Sequence, residues 1–168
     1  MKKPTILFLV VILTFLTVSC SSDSSDDNMN QAAQTTVNDN VVAPEAKAIE
    51  NDILDLINDY RIGKGLNPLN KRNIIKSQAF SHTEYMVNTN NVSHDNFNQR
   101  RAYLINNAGA SYVSENVAYG FTSAETVVNA WINSDAHREN IEGNYAYFDI
   151  SAEQNSQGDW YYTNIFVR

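Results

Sequence analysis

Cys20 is the only cysteine among 168 residues. One cysteine closes no intrachain disulfide and builds no cysteine-type structural zinc site, so the fold must be held by its apolar core alone. The part from Glu45 to Arg168, about 124 residues, suits one domain that buries roughly two-thirds of its unfolded surface. Ile49, Ile53, Leu56, Ile57 and Tyr60 recur at helical spacing and lay an apolar stripe on a first helix over about 45–62. Gly63, Gly65 and Asn67-Pro68 stop it. A second helix over about 72–89 places Ile75, Ala79, His82 and Met86 on one face, and a shorter one follows Asp95 and ends near Ala108-Gly109. Tyr112, Val113, Val117, Ala118 and Tyr119, punctuated by Gly120, read as a strand. Thr122 with Glu125 forms a capping box that opens a helix to about Asp135, with Val127, Val128, Trp131 and Ile132 inward. Two last strands, about 146–154 and 160–167, flank a turn at 155–159. Both faces of the final strand are apolar, which suits a sheet covered on both sides. The expected fold is α+β, a three-layer helix/sheet/helix sandwich around a small antiparallel sheet.

The N-terminus carries Lys2 and Lys3, an apolar stretch over 6–16 too short to span a bilayer, and Thr17-Val18-Ser19 ahead of Cys20. This pattern resembles a bacterial lipoprotein signal, which implies cleavage after residue 19 and acylation of Cys20, the first residue of the mature chain. An ordinary secretory signal with an incidental cysteine is the alternative. Multiple acyl chains give stable anchoring, since each buried methylene contributes about 0.8 kcal/mol. The membrane is therefore an expected partner through the lipid anchor, and the expected location is the cell envelope, at the outer membrane or cell surface.

Residues 20–44 follow the signal segment 1–19 and precede the domain at 45–168. They are Ser, Asp, Asn, Gln and Thr with few apolar side chains, and Asp23, Asp26, Asp27 and Asp39 meet no Lys or Arg there. Such composition reads as a disordered acidic linker. The domain holds fifteen Asp and Glu against ten Lys and Arg. With no basic patch, nucleic acid is not an expected partner.

Chemistry-bearing residues fall in three short segments: Ser93-His94-Asp95, Ser114-Glu115-Asn116 and Trp131-Ile132-Asn133-Ser134-Asp135-Ala136-His137-Arg138-Glu139-Asn140. Together with Tyr161-Tyr162-Thr163-Asn164-Ile165-Phe166, their order and flanks resemble the CAP superfamily (cysteine-rich secretory, antigen 5, pathogenesis-related 1; also called SCP) in its bacterial, disulfide-free form. The resemblance implies the αβα fold and a cleft lined by His94, Glu115 and His137. Asp135 stands near the place where animal and plant members carry a second glutamate. Ser114 and Ala136 replace usual glycines, and Asp149-Ile150-Ser151 stands where bacterial members tend to run Gly-Val-Gly.

Two neutral imidazoles and a carboxylate form a ligand set that zinc uses in catalytic sites, with a water in the fourth position. The resemblance thus admits a divalent metal such as zinc at His94 and His137, with Glu115 as third ligand or as a hydrogen-bond partner that fixes the tautomer of His137. A polar cleft whose imidazoles only hydrogen-bond is the competing reading. His82, on the apolar face of the second helix, reads as a packed structural residue. Arg138 and Asn140 read as ties between helix end and loop, and Trp131, Tyr161 and Phe166 as core. Ser134 lacks a Gly-x-Ser-x-Gly elbow. The leading expectation is a lipid-anchored envelope module, non-enzymatic, that binds an envelope lipid, glycan or protein. The rival is a metal-dependent hydrolase acting on peptide or cell-wall substrates.

Overall fold

The structure, a computed structural model, describes residues 41–168. The signal segment 1–19, the lipidation of Cys20 and the linker as far as residue 40 lie outside the described residues. The elements run α1 (Ala48–Gly63), β1 (Asn70–Lys71), α2 (Asn73–Thr89), α3 (Phe97–Ala108), β2 (Val113–Tyr119), α4 (Ala124–Ile132), α5 (Asp135–Glu142), β3 (Tyr147–Gln154) and β4 (Trp160–Val167). The sheet order is β1-β3-β4-β2.

β3 and β4 form a hairpin in register Tyr147↔Val167 to Gln154↔Trp160. Its turn is built by Asn155, whose Oδ1 accepts from the Gln157 amide at 3.0 Å and the Asp159 amide at 2.8 Å, while Gly158 takes φ +89°. β2 pairs antiparallel with β4 from Val113↔Val167 to Tyr119↔Tyr161. β1 joins β3 in parallel through two residues, Asn70↔Tyr147 and Lys71↔Phe148. The sheet is therefore mixed, where the sequence led us to expect an antiparallel one. A two-residue strand has no alternation to read; Asn58 fixes the segment just before it, accepting from the Leu69 amide at 2.8 Å and donating to its carbonyl at 3.0 Å.

Side chains alternate across the sheet with the period of two that a strand imposes. Ala118, Phe148, Ile150, Ala152, Tyr162 and Phe166 pack with Ile53, Ile57, Val127, Trp131 and Ile141 of α1, α4 and α5. On the other face Val113, Ile165 and Val167 meet Ile74, Ile75 and Ala79 of α2 and Leu104 of α3. These clusters make the three layers; Trp131 and Phe166 lie in the first of them, and Tyr161 is buried too, as expected.

Two helix boundaries differ from the sequence reading. The capping box that opens α4 sits one residue later, on Ser123, whose Oγ accepts from the Thr126 amide at 3.3 Å. The helix expected to reach Asp135 ends at Ile132, and Ser134, in extended geometry, starts the separate helix α5.

A buried ion pair finishes one border of the sheet. β1 covers only the start of β3, so further along, the edge groups of β3 need other partners. Glu50 Oε1 accepts from the Ala152 amide at 2.8 Å, and Lys76 Nζ donates to the Ile150 carbonyl at 2.8 Å. The two side chains meet each other at 2.6 Å. Glu50 and Lys76 thus take the place of a strand there.

Candidate functional site

β2 is the edge strand on the opposite border, and its alternation sends Glu115 toward α3 and Asn116 toward α5. The Glu115 side chain is 1% exposed. Arg100, in the first turn of α3, grips it with both prongs: Nε to Oε2 at 2.9 Å and Nη2 to Oε1 at 2.8 Å. The bidentate fork is the strong form of this contact. Arg100 Nη1 also donates to the Asp95 carbonyl at 2.7 Å, which binds the α2–α3 loop to the same carboxylate. Burial by itself would push the Glu115 carboxyl up. Hydrogen bonds from His94 and Arg100, with the charge of Arg100, outweigh it and hold the group below the ordinary glutamate range.

His94 sits in that loop, between Asn90 and Asn96, both in left-handed geometry at φ 48° and 60°. Asparagine tolerates this conformation better than most residues. Next to it, Ser93 is pinned by a contact of 2.7 Å between its carbonyl and His82 Nε2. His94 Nδ1 lies 2.9 Å from Glu115 Oε1, with 53% of the His94 side chain exposed. An ionised carboxylate only accepts, so Nδ1 carries the proton and Nε2 is left for a ligand.

His137 arrives from the other layer. Its Nδ1 contacts Ser134 Oγ at 2.8 Å. α5 is docked on β2 by Asn116, whose Nδ2 donates to the His137 carbonyl at 3.1 Å and whose Oδ1 accepts from Asn140 Nδ2 at 2.8 Å. Burial lowers the His137 pKa, and the proximity of His94 lowers it further. A cleft of about 290 Å³ opens beside His94 at the edge of β2, lined by His94, Phe97, Tyr112, Ser114, Glu115 and Asn140; His137 is not on its lining.

Glu115 is thus a hydrogen-bond partner, and of His94 where His137 was the expected one. Asp135 is corrected outright: its side chain is 88% exposed and binds Arg138 at 2.6 Å, because the break before Ser134 turns the start of α5 outward. Asn140 ties α5 to β2, and Arg138 donates to the Ile132 carbonyl at 3.0 Å, in line with the sequence reading of both. His82 is buried as expected, yet its Nε2 also lies 3.8 Å from Glu115 Oε1, so it belongs to the same network.

Arg100 is the residue that sequence reasoning missed. Its signal was present: Arg100, Leu104 and Ala108 form the buried stripe of α3, and an arginine on an otherwise apolar stripe calls for a buried acidic partner.

Whether this site suits a divalent cation turns on which donors remain. Among the described residues no group of three or more His, Cys, Asp or Glu is arranged to hold a metal ion, and both oxygens of Glu115 are engaged by Arg100. What remains is the two imidazoles. In each, Nδ1 is oriented by a neighbouring oxygen, and among the described residues no hydrogen bond holds Nε2, which is the arrangement that orients histidine ligands in metal sites.

The profile of the CAP (cysteine-rich secretory protein) family matches residues 54–166, and the chain belongs to that family. Among curated relatives it is 29% identical over 129 residues to the Bacillus subtilis protein YkwD, covering 74% of this chain and 50% of that one. It is 28% identical over 125 residues to the Bacillus subtilis membrane protein YlbC, covering 71% and 34%. The chain therefore spans half or less of the length of these relatives. In structure it is similar to an outer surface protein of Borrelia burgdorferi, with TM-score 0.64 and 18% identity, covering 76% of this chain and 98% of that one. An extracellular SCP-domain protein of Bacillus anthracis gives TM-score 0.63 at 22% identity over 76% and 45%. A cysteine-rich secretory protein of Staphylococcus aureus gives 0.61 at 21% over 73% and 40%. At such identities these likenesses establish the α+β fold.

Proposed function

We propose that this chain is a surface-displayed CAP module, tethered through acylated Cys20, whose cleft at His94 and Glu115 binds an envelope ligand and does not turn over a substrate. The observation that carries this reading is the saturation of Glu115. A general base must accept a proton from substrate or water, whereas this carboxylate is ionised, buried and spent on Arg100 and His94. What it leaves to a ligand in the cleft is the Nε2 edge of His94. The outer-surface and extracellular descriptions of two structural relatives support a surface location, as does the lipoprotein-like N-terminus.

His94 and His137 would hold a divalent cation such as zinc through Nε2. The cation would supply a Lewis-acidic centre open to oxygen ligands. Calorimetric titration of the full chain with zinc tests this: saturable binding is expected, lost in His94→Ala and in His137→Ala. No heat of binding up to about millimolar zinc would remove the metal. Zinc-dependent cleavage of cell-wall peptides, abolished by the same variants, would replace the binding module with the hydrolase. For the tether, Cys20→Ala should move the protein from the membrane fraction to the soluble one. Retention in the membrane would reject acylation.

A further inference from the structure

A second pocket, of about 330 Å³, lies in the groove between α2 and α3. From α2 it takes Gln78, Ser81, His82 and Tyr85, spaced i, i+3, i+4 and i+7. Asn96, which caps α3, and Gln99, Arg100 and Tyr103 of the helix itself repeat that spacing on the other wall. Such spacing is one face of a helix, and facing helices ordinarily fill it with apolar side chains. Here both faces are polar or aromatic. The apolar residues of these helices, Ile74, Ile75, Ala79 and Leu104, go to the sheet instead, so the groove is not a packing surface.

His82 makes the groove more than a polar gap. The ring is 2% exposed, and its Nε2 lies 2.7 Å from the Ser93 carbonyl. A carbonyl only accepts, so Nε2 carries a proton. Burial lowers the pKa of this ring, which keeps it neutral and makes Nδ1 an acceptor. Among the described residues nothing donates to Nδ1. A buried acceptor without a donor is costly, and the residue that carries it is on the lining of the groove.

The charge of the walls narrows the ligand class. Arg100 is the charged residue on the lining, and its guanidinium is neutralised by the bidentate contact with Glu115. The groove therefore favours neither a phosphate nor an ammonium group. The amides of Gln78, Asn96 and Gln99 each donate and accept, which matches hydroxyls that do both, and Tyr85 and Tyr103 offer ring faces. We infer that the α2–α3 groove is a second binding site, for the neutral, hydroxyl-rich saccharide units of a glycan. It is separate from the imidazole cleft and stands whether or not that cleft takes a metal.

The test is amide-resolved NMR on the full chain carrying Cys20→Ala, titrated with N,N′-diacetylchitobiose, mannobiose, glycerol and trialanine amide. At least one disaccharide should give saturable shifts in the side-chain amides of Gln78, Asn96 and Gln99, with a dissociation constant on the order of millimolar. Gln99→Ala should weaken them roughly five-fold, and Ser81→Trp should abolish them by filling the groove. Both positions are exposed, so the rest of the spectrum should keep its wild-type dispersion. Absence of saturation with both disaccharides, shifts that survive Ser81→Trp, an equal response to glycerol, or tighter binding of the tripeptide would each overturn the assignment.

Discussion

Arg100 holds the position on which most of the candidate site depends. It neutralises a carboxylate that is almost wholly removed from water, and the same guanidinium fastens the loop bearing His94. Removing one partner of such a pair strands the other as a buried charge, which costs about 3–5 kcal/mol, whereas replacing both by apolar residues is often neutral. Arg100→Met should therefore lower the urea-unfolding free energy by about that amount, and adding Glu115→Leu should restore most of it. A single variant that loses under about 1 kcal/mol would mean that water reaches the carboxylate. The acid limb follows with its sign. The folded-state pKa of Glu115 is depressed, so its contribution is present above the ordinary glutamate value and is lost as pH falls through the folded one; Arg100→Met should move that limb to higher pH. His94 and Glu115, which the structure brings together, were legible because their flanking residues mark them in the sequence. Arg100 has no such flanks, and only its place on an apolar stripe gives it away.

At the scale of the element, α5 sets where His137 stands against β2. Its single fully buried apolar anchor is Ile141, and its remaining hold on the sheet is polar, through Asn140, Asn116 and the His137 carbonyl. Asn140→Ala takes one side chain out of that ladder and should cost about 1–2 kcal/mol. Where His137 ligates zinc as proposed, loosening its support weakens the metal by about ten-fold or more, so zinc affinity should fall in a protein that still folds. Calorimetry and denaturation on the same variant separate the two. Equal zinc affinity in Asn140→Ala would show that α5 keeps its place without the ladder. This helix was also the least legible element. α1 and α2 carry long apolar stripes and were readable to within a few residues, but eight residues with one buried hydrophobic side chain give periodicity nothing to work on. Asp135 was expected in the cleft only because it stands near the second glutamate of animal and plant members, and its side chain is exposed.

Across the whole molecule, the sheet is bordered by two buried acid–base pairs, Glu50–Lys76 beside β3 and Glu115–Arg100 beside β2. The three-layer order was legible because β4 is apolar on both faces, while β1 and the pairs that finish the edges were not, being contacts between residues distant in sequence. Asp149, on β3, is the group that these pairs leave uncompensated. It is 5% exposed, and burial raises its carboxyl to about 6, against the opposing pull of the Ile150 and Arg72 amides, Lys76 and Lys71. A raised carboxyl favours the protonated form in the folded state. Its stabilisation is thus complete below the unfolded value of 3.8 and is lost as pH rises through about 6, a change of at most about 3 kcal/mol. His82 and His137 act with the opposite sign: burial lowers both, so their contribution is lost as pH falls below about 6.5. Asp149→Asn removes the first effect and leaves the histidines untouched, so they cancel when the variant is compared with the parent. Relative to the parent, Asp149→Asn should gain stability steadily between about pH 4 and about pH 7, by up to about 3 kcal/mol, in urea titrations run across that range. A difference that stays flat with pH would mean that Asp149 does not titrate inside the fold, and that the wall between β3 and α2 admits water.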